Sequence, residues 1–220
     1  MTATPRSRRE RPAKPALTRE GIVSAAVAIL RAEGLRKVTM RRLAQELDTG
    51  PASLYVYVRN TDELHAAVLD ELLGTVGPAP AGGDWRQRLE RVLTAYTDML
   101  LEHPGLARSA LTARPSGPHY LNLIETLLAL LDEGGVPRER AARGVDLLLQ
   151  HATATAAEHA GEEPLGGWQA VERAVRGASG RTHPHIAATA DDLLSGTPEA
   201  RLSWALQALI TGIEHTAVPA

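Results

Sequence analysis

In the stretch MRRLAQELDTGPASLYVYVRN, Met40 to Asn60, arginines and hydroxyl-bearing side chains surround a run of small residues. Those types in that order suit noncovalent recognition of a polyanion. Gly50, Pro51, Ala52 and Ser53 are slim enough to pass into a groove. The Ser53 hydroxyl can donate or accept at a base edge or a phosphate, and the Ala52 methyl can meet a thymine methyl. Tyr55 and Tyr57 carry hydroxyls on long rigid arms suited to phosphates or base edges. Arg41 can reach a base or a phosphate, and Arg42 and Arg59 add charge. The rival reading is a short helical hairpin in a core. Tyrosines interleaved with arginine, next to small residues, bury poorly and argue against it.

Covalent chemistry finds little support. Glu102-His103, Glu158-His159 and Glu214-His215 are adjacent acid–base pairs. Neighbours on a helix point in different directions, so such pairs do not converge. His183 and His185 flank Pro184 without an evident third ligand, and read as a loop pair rather than a metal site. The chain has no cysteine, which excludes disulfides and thiolate metal sites. No phosphate-cradling glycine loop or Gly-x-Ser-x-Gly elbow occurs. No enzyme activity, cofactor or metal is expected. An enzyme or ligand carrier stays open as an alternative, which turnover of a bound ligand would support.

Charge divides along the chain. Residues 1–60 hold 12 Lys or Arg against 5 Asp or Glu, and residues 61–220 hold 12 against 21. A basic head on an acidic body suits nucleic-acid binding by the head. A basic tail on an ordinary domain accounts for the same numbers, because six of those charges precede Leu17. No apolar run reaches the ~20 residues of a membrane span. The basic N-terminus lacks the apolar segment of a secretory signal. A soluble cytoplasmic protein with no membrane partner is expected.

Helices must position the recognition residues, for no alternating strand pattern occurs. The fold class predicted is all-α, with roughly nine or ten helices and no internal repeat. Residues 1–16, rich in Pro, Arg and Ser, read as a disordered basic tail. Thr18 caps a first helix that Gly34 stops. Thr39 caps a second, with Leu43 and Leu47 four apart. Asp48-Thr49-Gly50 breaks the pattern, and Asp tolerates a left-handed turn better than most residues. A third helix, PASLYVYV, opens on Pro51, where the missing N–H costs nothing. Leu54 and Val58 hold it to the rest. A fourth helix begins at Asn60 or Thr61 and runs to Val76. This frames a domain over residues 17–76, a linker over 77–83, and a second helical domain over 84–220.

Helix, short turn and short helix form a helix-turn-helix, whose second helix enters the major groove. The segment from Leu17 to Leu73, about a quarter of the chain, resembles the DNA-binding domain of the tetracycline-repressor (TetR) family. The resemblance rests most on TMRRLAQEL, SLYVYVRNTDEL and the spacing between them. It implies an N-terminal three-helix DNA-binding domain. It puts Arg41, Pro51, Ala52, Ser53, Tyr55 and Tyr57 at operator-contacting positions and Thr61 at a phosphate-contacting one. Asp48, Thr49, Val56, Tyr57 and Thr61 depart from the residues common in members resembling the tetracycline repressor itself, and Pro51-Ala52 reverses the usual order.

The resemblance further implies a larger helical C-terminal domain that binds a small-molecule effector and forms a homodimer. Val145, Leu148, Leu149, Ala152 and Ala156 lie on one side of a helix. Leu202, Leu206, Leu209 and Ile213, with Trp204, Ala205, Ala208 and Ile210, make another apolar on more than one side, so that it needs two partners. From pattern alone these are equally core helices. By resemblance they build a four-helix dimer interface. The effector pocket is expected among the helices carrying Tyr96, Met99, Leu100, Leu123, Leu127, Gln150, His151 and Thr155, with His151 as a polar contact. Gly161 to Trp168 is expected as a mobile loop near its mouth. The function implied is a homodimeric repressor released from a palindromic double-stranded operator by the effector. An activator or a ligand-independent regulator is the alternative.

Overall fold

The computed structural model describes residues 16–112, 115–159 and 167–219. The basic tail expected over 1–16 lies almost wholly outside them, as does most of the expected loop from Gly161. Eleven α-helices and one 3-10 turn occur among the described residues, one or two helices more than expected, and no strand.

The head is built from α1 (Arg19–Glu33), a 3-10 turn (Leu35–Lys37), α2 (Met40–Glu46) and α3 (Pro51–Leu54). The expected caps are present. Thr18 Oγ1 accepts the Gly21 N–H at 3.0 Å, and Thr39 Oγ1 accepts that of Arg42 at 3.2 Å. Gly34 ends α1 with φ 83°, a conformation open to glycine. Asp48 takes the left-handed conformation, with φ 47°. Around it the Thr49 N–H bonds Ala44 O at 2.8 Å and the Asp48 N–H bonds Gln45 O at 3.2 Å. That double closure is how α-helices commonly end on a left-handed residue. The third helix is shorter than its sequence suggested. α3 is a single turn ending at Leu54, and Tyr55 to Tyr57 form a further turn. Leu54 and Val58 are fully buried and are the buried residues between Asp48 and Asn60.

α4 (Thr61–Leu73) is capped by Asn60, whose Oδ1 accepts the Glu63 N–H at 2.8 Å. It belongs to both halves of the molecule, packing on α1 in the head and on α5, α6 and α7 in the body. The loop after it carries glycines at 77, 82 and 83 with positive φ.

The body comprises α5 (Trp85–Leu101), α6 (Pro104–Ala110), α7 (Pro118–Glu133), α8 (Arg138–His159), α9 (Gly167–Arg176), α10 (Pro184–Leu194) and α11 (Pro198–His215). Asp84 and Gln87 cap α5 reciprocally. α5 and α8 form the main seam, closed by α6, α7 and α11. Leu89, Leu93, Leu100, Leu127, Leu131 and Leu148 are fully buried there. Each is worth about 1.5–3 kcal/mol relative to exposure. α9 and α10 pack on each other and bury none of their residues.

Candidate nucleic-acid interface and ligand cavity

The head presents the expected recognition residues together. Arg41, Pro51, Ala52, Ser53 and Tyr55 are exposed, with Tyr55 at 51 % of its full area. Tyr57 and Thr61 are half-buried, and Tyr57 packs its ring on the core. The turn at Asp48 throws α3 off the axis of α2, and burial of Leu54 and Val58 fixes which side of it faces out. Val56 stands 80 % exposed beside the tyrosines, an apolar side chain at the tip that the pattern did not single out.

The two other arginines of this region have different duties. Arg42 bonds Glu33 at 2.7 Å and Glu46 at 2.8 Å, tying α2 to the end of α1. The hydrogen bond from Arg42 holds the Glu33 carboxyl below its ordinary range, and those Arg42 donates to Glu33 and Glu46 raise its guanidinium. Arg42 is therefore a clamp within the head rather than loose charge. Arg59 gives Glu63 its backbone N–H at 2.8 Å and its Nε at 3.1 Å, yet its side chain is 87 % exposed. The Arg59 backbone N–H, ahead of its side chain, lowers Glu63.

The body holds a cavity of about 320 Å³ walled by α4, α5, α6, α7 and α8. Leu69, Tyr96, Ala110, Leu111, Tyr120, Leu149 and Ala154 give it apolar walls, and Asp146, Gln150 and Thr153 its polar points. Tyr96 is buried, and its hydroxyl shares a 2.7 Å hydrogen bond with Thr153 Oγ1. Burial pushes the Tyr96 phenol up. Small-molecule sites usually have this mixture of apolar wall and few polar groups. A hollow of about 400 Å³ lies at the end of α4, between Gly74, Val76, Gly77 and Pro78 of the following loop and His119, Asn122, Leu123, Glu125 and Thr126 of α7.

Of the residues expected at an effector, Tyr96 lines the cavity, as does Gln150 from the same set of helices. Met99 and Leu127 are buried in the core and do not reach this wall. His151 is half-buried, with its Nε2 enclosed and unbonded, and Thr155 is half-buried with its carbonyl bonded by His159 Nδ1 at 2.8 Å. The difference is helical phase. The α8 residues on the cavity are Asp146, Leu149, Gln150, Thr153 and Ala154, a stripe at i, i+3, i+4, i+7 and i+8. His151 and Thr155 are rotated away from it, at about 100° per residue. The polar members of that stripe were a signal in the sequence. Tyr120, arriving from α7, had none. His183 and His185 fall at the start of α10, and no group of three metal-binding side chains occurs among the described residues.

One face of α8 and α11 is apolar and uncovered. Leu147 is 43 % and Trp204 73 % exposed, and Gly144, Leu147, Ala208, Leu209 and Gly212 edge a hollow of about 290 Å³. A Cβ at Gly144 would lie 2.8 Å from Ile213 Cγ2, so glycine lets these two helices approach closely. No helix among the described residues is long and apolar enough to cross a membrane.

Known proteins share this arrangement. Residues 22–68 match the family profile of bacterial regulatory proteins, tetR family, and residues 77–217 that of the tetracyclin repressor-like C-terminal domain. The HTH-type transcriptional repressor DrrR1 of Streptomyces coeruleorubidus is 38 % identical over 125 residues, 56 % of this chain and 46 % of that protein. The chain spans about half the length of the curated relatives it matches. The crystal structure of the proposed transcription regulator SCO7704 of Streptomyces coelicolor superposes with a TM-score of 0.80 at 56 % identity, covering 94 % of this chain and 99 % of that one. The Streptomyces coelicolor TetR family protein ActR in complex with actinorhodin superposes with a TM-score of 0.78 at 36 % identity, covering 90 % and 96 %.

Proposed function

The chain belongs to the TetR family of bacterial regulatory proteins, and from that premise we propose that it is a homodimeric transcriptional repressor released from a palindromic operator by a small molecule. The observation that carries this reading is one helix, α4, which starts directly after the exposed tip, packs on α1 in the head and lends Leu69 to the wall of a cavity. In this reading, residues 17–76 are the DNA-binding unit, 77–83 its linker and 84–220 the effector and dimerisation unit. Arg41, Pro51, Ala52, Ser53, Tyr55 and Tyr57 meet base edges and phosphates, and Thr61 a phosphate. The effector lies against Tyr96, Tyr120, Gln150 and Thr153. The uncovered faces of α8 and α11 meet their copies across a two-fold axis. Support for a ligand comes from ActR, whose structure holds actinorhodin. Support for repression comes from the name of DrrR1.

Selection of duplexes from a random pool by the full chain tests the DNA half. The expected product is a palindrome whose half-sites are centred about one helical turn, ~34–36 Å, apart. Binding should weaken with salt, the log–log slope being about −0.9 per phosphate neutralised. A pool that enriches nothing refutes the reading. A thermal-shift screen of small molecules on the same protein tests the other half. A stabilising compound that loosens the selected duplex supports release, whereas one that tightens it reverses the sense of control.

A further inference from the structure

Among the described residues, five helices are capped by the residue before them. Thr18, Thr39, Asn60, Asp84 and Thr197 each accept the N–H of the third residue of their own helix. α7 breaks the rule. Its cap position is Gly117, which has no side chain to accept anything, and Pro118 follows. The third N–H, that of Tyr120, is instead bonded at 2.9 Å by Oδ1 of Asp70, fifty residues earlier on α4. Asp70 is 7 % exposed, one of few buried polar side chains among the described residues. A buried carboxylate on the positive end of a helix makes a charge-assisted hydrogen bond, stronger than a neutral one.

The glycine is required by this arrangement. A Cβ at position 117 would overlap the Asp70 carboxylate. A cap from α7's own chain and a cap from α4 thus compete for one place, and this sequence has the latter. The joint also sits where the two halves of the molecule meet. Leu69, beside Asp70, and the side chain of Tyr120 both line the cavity. On its other side Asp70 borders a groove with Arg59, Asn60 and Glu63, where α4 leaves the reading tip.

We infer that the Asp70–Tyr120 hydrogen bond is the joint through which the cavity and the reading head act on each other. This deepens the repressor reading and rests on it. A molecule that displaces Tyr120 moves the first turn of α7, and the bonded carboxylate carries that displacement into α4. Asp70 is a positioning residue, touching neither DNA nor the cavity's contents by this account. Coupling between sites is reciprocal. DNA bound at the head must therefore alter the first turn of α7, which makes the joint testable before any effector is known.

The experiment is hydrogen exchange of the peptide around Tyr120, with and without the duplex selected from the random pool. In the unaltered protein the duplex should change the exchange rate there, within the ~5–150-fold span usual for coupled sites. The double variant Asp70→Ala, Gly117→Ser removes the joint but gives α7 a cap of its own. It should keep α7 protected and bind the selected duplex as the unaltered protein does, while exchange near Tyr120 no longer responds to DNA. If the double variant still responds fully, Asp70 is a cap and nothing more. An unaltered protein that binds the duplex with no change near Tyr120 also overturns the joint, and leaves the repressor reading standing. Should the double variant fail to fold, Asp70→Asn decides. It keeps an acceptor but loses the charge, and the response should shrink at least about twofold; an undiminished response overturns the inference. Failure to select any duplex refutes the repressor reading and the joint with it.

Discussion

Leu54→Ala tests whether the reading tip is held by burial rather than by helix formation. α3 has four residues, far below the ~12–15 at which an isolated helix becomes even marginal in water. Its turn is closed by three backbone bonds, Ser53 N–H to Gly50 O at 3.0 Å, and the Tyr57 and Val58 N–H groups to Leu54 O at 2.9 and 3.0 Å. Backbone bonds of that kind contribute only about 0.5–1.5 kcal/mol net each. The anchoring then falls to Leu54 and Val58, both with no exposed area. Truncating a fully buried leucine costs about 2–5 kcal/mol. At about 1.4 kcal/mol per tenfold, a central loss of ~3 kcal/mol lowers the ratio of docked to undocked α3 by about 10²-fold. Apparent DNA affinity falls in proportion to the docked fraction once undocking is populated. The expected result is faster hydrogen exchange over residues 51–58 and up to ~10²-fold weaker binding of the selected duplex, on matched and mismatched sequences alike. Tyr55→Phe, at an exposed site, should leave that exchange unchanged and weaken only binding. Unaltered exchange in the Leu54→Ala protein, or full affinity despite fast exchange, would refute the reasoning.

Removing Arg42 (Arg42→Ala) should return Glu33 towards its ordinary value of 4.5, read by carboxyl NMR titration. Because Glu33 is depressed when folded, the stabilisation it gives is present above 4.5 and is lost as pH falls through the folded value; the stability gap between the two proteins should close on acidification, and a constant gap would argue against the clamp. Tyr96→Phe and Thr153→Val, alone and combined, should show a coupling of about 0.5–1.5 kcal/mol in denaturant unfolding, whereas additive losses would mean the two hydroxyls are independent. Trp204→Asp, at a residue 73 % exposed, should leave the fold intact and convert a sedimenting dimer to monomer; persistence of the dimer would place its interface elsewhere.

What the sequence disclosed depends on how far apart the cooperating residues lie. The caps at Thr18, Thr39 and Asn60 and the left-handed Asp48 are set by neighbours within five residues, and they were legible. The length of α3 was not, since PASLYVYV keeps a helical pattern while only Leu54 and Val58 find a core to bury in. Arg42 looked like surface charge because Glu33, nine positions earlier on another helix, is invisible to a periodic pattern. On α8 the expectation fell on His151 and Thr155 while the cavity is lined by the stripe from Asp146 to Ala154, because an interruption by histidine is more conspicuous than that stripe. Asp70 sits in AVLDELL, where an acid reads as the solvent side of an amphipathic helix. Its burial is imposed by α7, and the one local hint was a helix start, Gly117-Pro118, with no cap of its own.

The division of charge has a consequence for affinity once the folded head is considered. Residues 17–60 carry seven Lys or Arg and four Asp or Glu, so their excess is three. Arg42 is shared between two carboxylates and turned largely inward, whereas Arg59, though bonded to Glu63, stays 87 % exposed. Residues 1–16 carry five Lys or Arg and one Glu, an excess of four in a third of the length. Residues 61–220, with 21 acids against 12 bases, repel a polyanion and favour approach through the head. If the tip reads sequence as proposed, the first sixteen residues should supply much of the attraction to phosphate and α3 the choice of sequence. A chain starting at residue 17 should select the same consensus from a random pool, because the base-facing residues are intact. Its binding should be weaker at low salt, and its log–log salt slope shallower by up to about 0.9 for each phosphate contact removed. Non-specific duplex should lose affinity by the same factor as the selected one. A truncated chain with an unchanged slope would put the phosphate contacts in the head itself, and one with an altered consensus would make the first sixteen residues readers of sequence.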